Sequence, residues 1–141
     1  MTVTVRPCGA SEYVDVLNLW REAEATPSAT DDAAGLARLT EQGGGQLLVA
    51  EEDGSVVGTI IAGWDGWRGN MYRLAVLPGR RRSGAATALV REAERLLALG
   101  GARRLSILVK HEDPRAGAVW DSLEGAGYAR DPRMSRIVKT A

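Results

Sequence analysis

Hydrophobic residues follow two different spacings along this chain. Strand-like patterns, in which apolar residues alternate with polar ones or form short blocks, occur at residues 2–6, 46–51, 55–64, 71–77, 105–110, 128–130 and 134–139. Apolar residues three and four positions apart predict helices that begin near residues 11, 31, 84 and 113, with Asp31 as the cap of the second. The helix at 84–99 has the clearest apolar stripe, which Gly100-Gly101 ends.

These elements follow the order β-α-α-β-β-β-α-β-α-β-β, which is typical of one mixed α/β domain. The 141 residues are enough for a single core that buries about two-thirds of the unfolded surface. The sequence shows no internal repeat and no linker-like segment. We therefore predict one domain over residues 1–141.

Charge and cysteine content exclude several classes of function. Lys and Arg total 18 and Asp and Glu total 18, so the formal net charge is zero and no whole-chain basic field attracts nucleic acid. Cys8 is the single cysteine; an intrachain disulfide and a cysteine-rich metal site are excluded, no metal is expected, and the thiol is expected to be structural. Neither a signal-peptide core nor an apolar run of about 18 residues is present. We expect a cytoplasmic protein without a membrane partner.

The segment between the strand at 71–77 and the helix at 84–99 is the part of the chain best suited to bind a ligand. After Pro78-Gly79 come three arginines and four small residues, namely Arg80, Arg81, Arg82, Ser83, Gly84, Ala85 and Ala86. A helix start leaves N–H groups unpaired and bears about half a positive charge, and small residues let an anion approach it. The segment suits a phosphate or pyrophosphate, or it is only a surface turn before an ordinary helix. Neither a P-loop nor a G-x-G-x-x-G motif after the first strand is present.

The same segment resembles the signature of a known family. Leu74-x-Val76-x-Pro78, followed by Arg81-x-x-Gly84-x-Ala86, is similar to the pattern L-x-V-x-P-x-x-[RQ]-x-x-G-x-[GA] of the GNAT N-acetyltransferases. Val57-Gly58 resembles a hairpin strand of that family, and the run at 113–116 resembles its late N-x-x-A helix start. The sequence from residues 64–69 onward is similar to that of small bacterial YpeA-like acetyltransferases.

The resemblance implies an α/β GNAT fold, with a mixed, mostly antiparallel sheet of about seven strands flanked by about four helices. It implies acetyl-CoA as the acetyl donor, an amine as the acceptor and, as a plausible assembly, a homodimer. Backbone groups of Leu74, Ala75 and Val76 would contact the pantetheine arm and the thioester. Backbone N–H groups of Arg81, Arg82, Ser83, Gly84, Ala85, Ala86 and Thr87 would hold the pyrophosphate. Asp113, Ala116 and Trp120 would lie along the far side of the CoA arm.

Two positions of the late helix depart from the family pattern. Asp113 stands where the family has Asn, and it either caps the helix or adds a charge near CoA. Trp120 stands where the family often has a tyrosine that is taken to protonate the departing thiolate. In this alignment the usual general acid is absent.

Several side chains could act as a general base or orient a water molecule. Glu51 and Glu52 are otherwise charges at a strand end, Asp65 forms a turn, and His111 lies in a surface loop. Tyr72 is the preferred candidate, because a period of two places it on one sheet face with Leu74 and Val76. An ordinary core role for Tyr72 is the alternative.

Two functions from different classes are compatible with these observations. The first is an enzyme that transfers acetyl directly from acetyl-CoA to an amine of a small molecule or a protein N-terminus. The second is a non-catalytic acyl-CoA-binding or regulatory module, which the missing tyrosine favours. Trp20, Trp64 and Trp67 could line an aromatic acceptor pocket or be ordinary packing residues. The sequence does not indicate the acceptor.

Overall fold

The computed structural model describes residues 2–81, 83–109, 121 and 123–141. It separates into two compact units, Met1–Val109 and Lys110–Ala141, so the single domain expected for residues 1–141 stays a prediction. The first unit contains β1 (Val3–Pro7), α1 (Tyr13–Glu22), α2 (Ala33–Glu41), β2 (Gly45–Glu52), β3 (Ser55–Trp64), β4 (Gly69–Val76), α3 (Ala85–Leu99) and β5 (Leu105–Ile107). In the second unit, residues 121 and 123–125 are helical.

The five strands form one mixed sheet in the order β1-β2-β3-β4-β5. The first four strands are antiparallel neighbours, and β5 is parallel to β4. The hairpin between β2 and β3 turns at Asp53 and Gly54, whose φ angles are 53° and 78°, as the Asp-Gly pair predicts. A parallel pair needs a long crossover connection, and α3 provides it between β4 and β5.

Helices cover the two faces of this sheet. On one face, Trp20 of α1 and Leu36 of α2 form a core cluster with Leu47 and Val49 of β2. On the other face α3 packs against β3 and β4, and its residue Leu89 is fully buried. Four consecutive residues of β2, from Leu47 to Ala50, are buried, because neighbouring side chains of a strand point to opposite faces and both faces are covered.

Gly58 of β3 allows α3 to lie close to the sheet. A Cβ atom at this position would come within 3.0 Å of the Ala75 carbonyl oxygen, 3.1 Å of Leu89 Cδ1 and 3.3 Å of Val76 Cγ2. Real Cβ atoms rarely have such neighbours, so even alanine would displace α3 or β4. The Val-Gly pair of this strand is therefore a packing feature.

The C-terminal part differs from the sequence-based expectation. Seven strands were expected, but the described residues form five, and neither 128–130 nor 134–139 is a strand. The Tyr128 N–H donates to the Leu123 carbonyl (2.9 Å) after a left-handed Gly127, so it closes a helical turn and joins no strand ladder. Ile137 is 93% exposed; an apolar pattern without a pairing neighbour does not form a strand.

Two smaller expectations also need correction. β5 ends at Ile107, not at residue 110, and the N-cap of α2 is Asp32, not Asp31. Asp32 Oδ1 accepts the Gly35 N–H at 2.7 Å, which leaves the Asp31 carboxylate available to other partners. Within the described ranges, none of the helices combines the length and the apolar character that crossing a bilayer requires.

Candidate functional site

One edge of β4 is only partly covered by β5. The parallel pairing runs from Gly69↔Leu105 to Met71↔Ile107, and the Leu108 N–H donates to the Met71 carbonyl at 3.1 Å. No other strand among the described residues pairs with this side of β4 farther along. Among the described residues, the second half of β4 therefore has no strand partner on this side.

The hydrogen bonds to β3 show which backbone groups of β4 point toward this unpaired edge. The Leu77 N–H, just after β4, donates to the Val57 carbonyl at 2.9 Å. Consecutive backbone groups of a strand alternate in direction, so the N–H and C=O of Val76 point away from β3. The Val76 carbonyl accepts a hydrogen bond from Arg81 Nε at 3.3 Å.

β4 carries a β-bulge at the point where its edge becomes open. The ladder pairs Ile61 with Tyr72 and Thr59 with Ala75, so partners two residues apart on β3 are three residues apart on β4. The extra residue lies at Arg73, whose φ of 53° is in the left-handed region. That backbone conformation costs a residue other than glycine about 1–2 kcal/mol. Bulges bend a strand and redirect its groups.

The bulge overturns the expected orientation of Tyr72. A period of two would place Tyr72 on one face with Leu74 and Val76, but the extra residue places it on the face of Ala75, which packs against α1 and α2. The expectation is wrong because the period of two fails across a bulge. The Tyr72 ring lies beside Gly63, its Cε2 atom 3.3 Å from where a Cβ would be.

The turn after β4 ends in a helix start without a side-chain cap. Residues Pro78–Arg80 form a 3₁₀ turn, and the N-cap of α3 is Gly84, with a φ of 87°. A Cβ atom on Gly84 would have no neighbour within 4 Å among the described atoms, so the backbone is open to approach. The first helical hydrogen bond runs from the Ala88 N–H to the Gly84 carbonyl at 3.0 Å. The N–H groups of Ala85 and Ala86 precede it and point out of the helix start.

Internal bonds reduce the number of anion-binding groups in the turn. The Ser83 N–H and Oγ both donate to the Arg80 carbonyl, at 3.2 and 2.7 Å. Arg80 Nη1 donates to Glu52 Oε1 and lies 3.9 Å from Asp53 Oδ2, so its charge is neutralised. Among the described arginines of the turn, Arg81 remains for an anion; Arg82 lies outside the described residues.

The other acid–base candidates are dispersed. Glu52 is 1% exposed and paired with Arg80, so it is an anchor of the turn and not a solvated charge. Glu51 Oε1 accepts a bond from Arg6 at 3.3 Å. The Asp65 carboxylate accepts the N–H groups of Trp67 and Arg68, at 2.8 and 2.7 Å, and these bonds, Arg68 first, lower its pKa. His111, Asp113, Ala116 and Trp120 lie outside the described residues.

Cys8 has the environment of a structural thiol. Burial is the main cause that raises its pKa to about 11, and the Sγ atom lies 3.3 Å from the Gly9 carbonyl oxygen. The thiolate is the reactive form of cysteine, and little of it exists near neutral pH. Cys8 is therefore a poor acyl carrier.

The tryptophans do not form one aromatic pocket. Trp64 and Trp67 line a cleft of about 510 Å³ with Arg68, Arg103 and Arg104, at the end of the sheet where β4 begins. Trp20 is 4% exposed and belongs to the core cluster between the sheet and helices α1 and α2. The pyrophosphate-type turn lies at the other end of β4.

Sequence reasoning missed the residues that contact the bulge. Arg73 bonds to Asp31, and Thr59 bonds to both Trp20 and the Arg73 backbone. One signal was present, since a charged residue inside a strongly apolar strand such as 71–77 needs a partner. The identity of that partner, 42 residues away in sequence, could not be read from the pattern.

Known acetyltransferases are similar to this chain in sequence and in fold. Acetyltransferase YE1169 of Yersinia enterocolitica is 29% identical over 120 residues, which is 85% of each protein. The aminoglycoside 6′-N-acetyltransferase AAC(6')-Ig of Acinetobacter haemolyticus has a TM-score of 0.76, 19% identity, and coverage of 98% of this chain and 99% of its own. PaiA N-acetyltransferase of Thermoplasma acidophilum, solved with coenzyme A, has a TM-score of 0.72, 15% identity, and coverage of 86% and 87%.

The two solved structures show that the fold is shared. Residues 13–124 match the family described as "Acetyltransferase (GNAT) family", a range that includes the open edge of β4, the bulge and the whole of α3. The chain therefore belongs to the GNAT family of acetyltransferases.

Proposed function

We propose that this protein is an N-acetyltransferase that transfers the acetyl group of acetyl-CoA directly to an amine. The observation that carries the proposal is the adjacency of two features: the open edge of β4 and the uncapped start of α3 at Gly84. The first offers backbone hydrogen bonds to an extended amide-containing arm, and the second offers N–H groups to a pyrophosphate. Acetyl-CoA has both chemical parts in one molecule.

The residues present fit this cosubstrate. Gly84 combines a left-handed backbone with free space around its Cβ position, so a phosphate can come close to the N–H groups of Ala85 and Ala86. Arg81, at the same turn, supplies positive charge. The outward N–H of Val76, whose carbonyl already accepts from Arg81, and, by the same alternation, the backbone groups of Leu74 would bond the pantetheine arm. The solved complex of the Thermoplasma relative with coenzyme A supports this assignment.

The reaction needs little covalent chemistry from the protein. The amine nitrogen attacks the thioester carbonyl, the C–N bond forms, the C–S bond breaks, and the amine proton leaves as the thiolate accepts one. Backbone N–H groups at the β4 edge would stabilise the negative charge that develops on the carbonyl oxygen. Positioning of the two reactants then provides most of the rate. Tyr72 stays our proposed residue for proton transfer, now from the α1–α2 side of the sheet.

The acceptor class affects how much base is required. Forming the neutral amine at pH 7 costs about 4.6 kcal/mol when its pKa is about 10.4, whereas the cost is about 1.4 kcal/mol for an α-amine of pKa about 8. None of the described candidate bases is both buried and free at the bulge. We therefore propose an acceptor of low pKa, such as a peptide N-terminus or an arylamine, and a cytoplasmic location where acetyl-CoA is supplied.

A screen of acceptors tests the proposal. The purified protein is incubated with acetyl-CoA and peptide N-termini, polyamines, amino acids, aminoglycosides or arylamines, and free CoA is followed with a thiol reagent. We expect acetyl transfer to at least one class of low-pKa amine. Binding of acetyl-CoA without transfer to any amine would favour the alternative, a non-catalytic acyl-CoA-binding module. Absence of acetyl-CoA binding would refute both.

A further inference from the structure

Arg73 connects the bulge of β4 to the segment between α1 and α2. Its Nη2 atom donates to both carboxylate oxygens of Asp31 at 2.8 Å. The two side chains are only 17% and 20% exposed, so the pair is weakly screened by water. Asp31 Oδ2 also accepts the Ser28 N–H at 3.0 Å, which ties the pair to the connection itself.

Arg73 also contacts the core, through its backbone carbonyl and its guanidinium. Thr59 Oγ1 donates to the Arg73 carbonyl at 2.9 Å and accepts the indole N–H of Trp20 at 2.8 Å. The Arg73 guanidinium lies 4.9 Å from the centre of the Trp20 ring, a cation–π distance. Thr59 is fully buried and Trp20 is 4% exposed, so these bonds lie in the core.

We propose that Arg73 is a positioning residue whose Asp31 ion pair and Thr59-held carbonyl keep β4 in its bulged form, so that the adjacent edge meets the thioester. This inference rests on the proposed acetyl-CoA function. A left-handed arginine is unfavourable by itself, and the strand would relax toward a regular ladder without these bonds. A regular ladder would shift the following residues by one and reverse the direction of their backbone groups.

The consequence is specific to the acyl end of the cosubstrate. The bulge lies at the middle of β4, whereas the phosphates would bind at the start of α3, beyond the end of that strand. Losing the bulge should therefore weaken contacts to the thioester and leave contacts to the phosphates. A merely structural role would weaken both equally.

The experiment compares two probes by calorimetry. Acetyl-CoA spans both ends of the site, and 3′,5′-ADP carries phosphates without the pantetheine arm. The variants are Asp31→Asn, which removes the ion pair without changing side-chain size, and Thr59→Val, which removes the hydroxyl. The matched controls are Asp32→Asn, which removes the same charge one residue away and keeps a good N-cap, and Thr59→Ser, which keeps the hydroxyl.

We expect Asp31→Asn and Thr59→Val to lower acetyl-CoA affinity by about fivefold or more, with 3′,5′-ADP affinity changed less than about twofold. Both controls should behave like the wild type. Equal loss for the two probes, or no loss in Asp31→Asn, would overturn the proposal. If Thr59→Val does not fold, Asp31→Asn decides alone. A wild-type protein that fails to bind acetyl-CoA would instead refute the proposed function.

Discussion

Arg80 and Glu52 form an ion pair that joins the turn before α3 to the end of β2. Arg80 Nη1 donates to Glu52 Oε1, while Glu52 Oε2 is buried without a hydrogen-bond partner among the described residues. The carboxylate is 1% exposed, and burying an ion is costly unless it is paired. The pair holds the turn in place and also withdraws one arginine from anion binding.

This arrangement predicts that removing Arg80 alone destabilises the fold more than removing both charges of the pair. Arg80→Gln leaves a buried carboxylate without its cation, so we expect a loss of about 1–3 kcal/mol of unfolding free energy. Glu52→Gln with Arg80→Gln should lose less than Arg80→Gln alone. Urea denaturation of the single and double variants measures this. Arg95→Gln, which removes an exposed partner of Glu92, is the control and should leave the urea midpoint close to that of the wild type. A double variant less stable than Arg80→Gln would contradict the interpretation.

Gly84 offers a test of the pyrophosphate site. Valine at this left-handed position would be strained and would obstruct the approach to the helix start, so we expect acetyl-CoA affinity to fall at least tenfold, about 1.4 kcal/mol. Gly66→Val is the strain-matched control, because Gly66 has a φ of 90° and equally open surroundings. Calorimetry on both folded variants separates obstruction from strain. Similar affinities for the two variants would mean that the turn has been wrongly assigned.

Ligand binding should appear as thermal protection. Acetyl-CoA at 100 times its dissociation constant should stabilise the fold by about 2.7 kcal/mol, a rise in Tm of roughly 5–10 °C for a domain of this size. NAD and ATP should protect less, since neither has a pantetheine arm for the β4 edge. Scanning fluorimetry with the three ligands measures the difference. An unchanged Tm at millimolar acetyl-CoA would exclude the proposed site.

The ion pair of Arg6 and Glu12 predicts a loss of stability in acid. Two bonds of 2.8 Å from Arg6, and then the Gly9 N–H, lower the pKa of Glu12 from 4.5 to about 2. Because the folded-state pKa is the lower one, the stabilisation is complete above pH 4.5 and is lost as the pH falls toward 2. Urea midpoints at about pH 5.5, 4 and 2.5 should fall less steeply in Glu12→Gln than in the wild type. Equal slopes would exclude this pair as a source of acid sensitivity.

Cys8 should be inert and dispensable. With a pKa of about 11, its alkylation by iodoacetamide should remain slow at pH 8 and rise only as the pH approaches that value. Cys8→Ser should keep acetyl transfer within about twofold of the wild type. Trapping of a radiolabelled acetyl group on Cys8 would contradict direct transfer.

The parts of the fold that local chemistry determines were predictable from sequence. The stripe of α3 and its glycine stop, and the Asp53-Gly54 hairpin, depend on residues close together in the chain. The turn at Gly84 was predictable for the same reason, since its small residues are contiguous. These elements are confirmed as far as β5, although the roles proposed for individual residues stay predictions.

The parts that depend on distant partners were not predictable. The bulge at Arg73 is contacted by Asp31 and Thr59, which are distant in sequence, and a period-two pattern contains no information about an inserted residue. The sequence predicted that Arg80 adds charge to an anion site, but it forms an ion pair with a buried carboxylate from another strand. The closing strands failed for the same reason, because the pattern at 134–139 specifies a strand only if a neighbour pairs with it.

Gly58 would affect how well a cosubstrate of fixed length fits the proposed site. Because Gly58 has no side chain, α3 lies close to the sheet beside Val76, and this closeness would set the spacing between the proposed acyl and phosphate ends of the site. A methyl group there would meet Leu89 and Val76 and increase the distance from α3 to the sheet by tenths of an ångström. The proposed site would then misfit a ligand of fixed length without losing any of the groups that contact it.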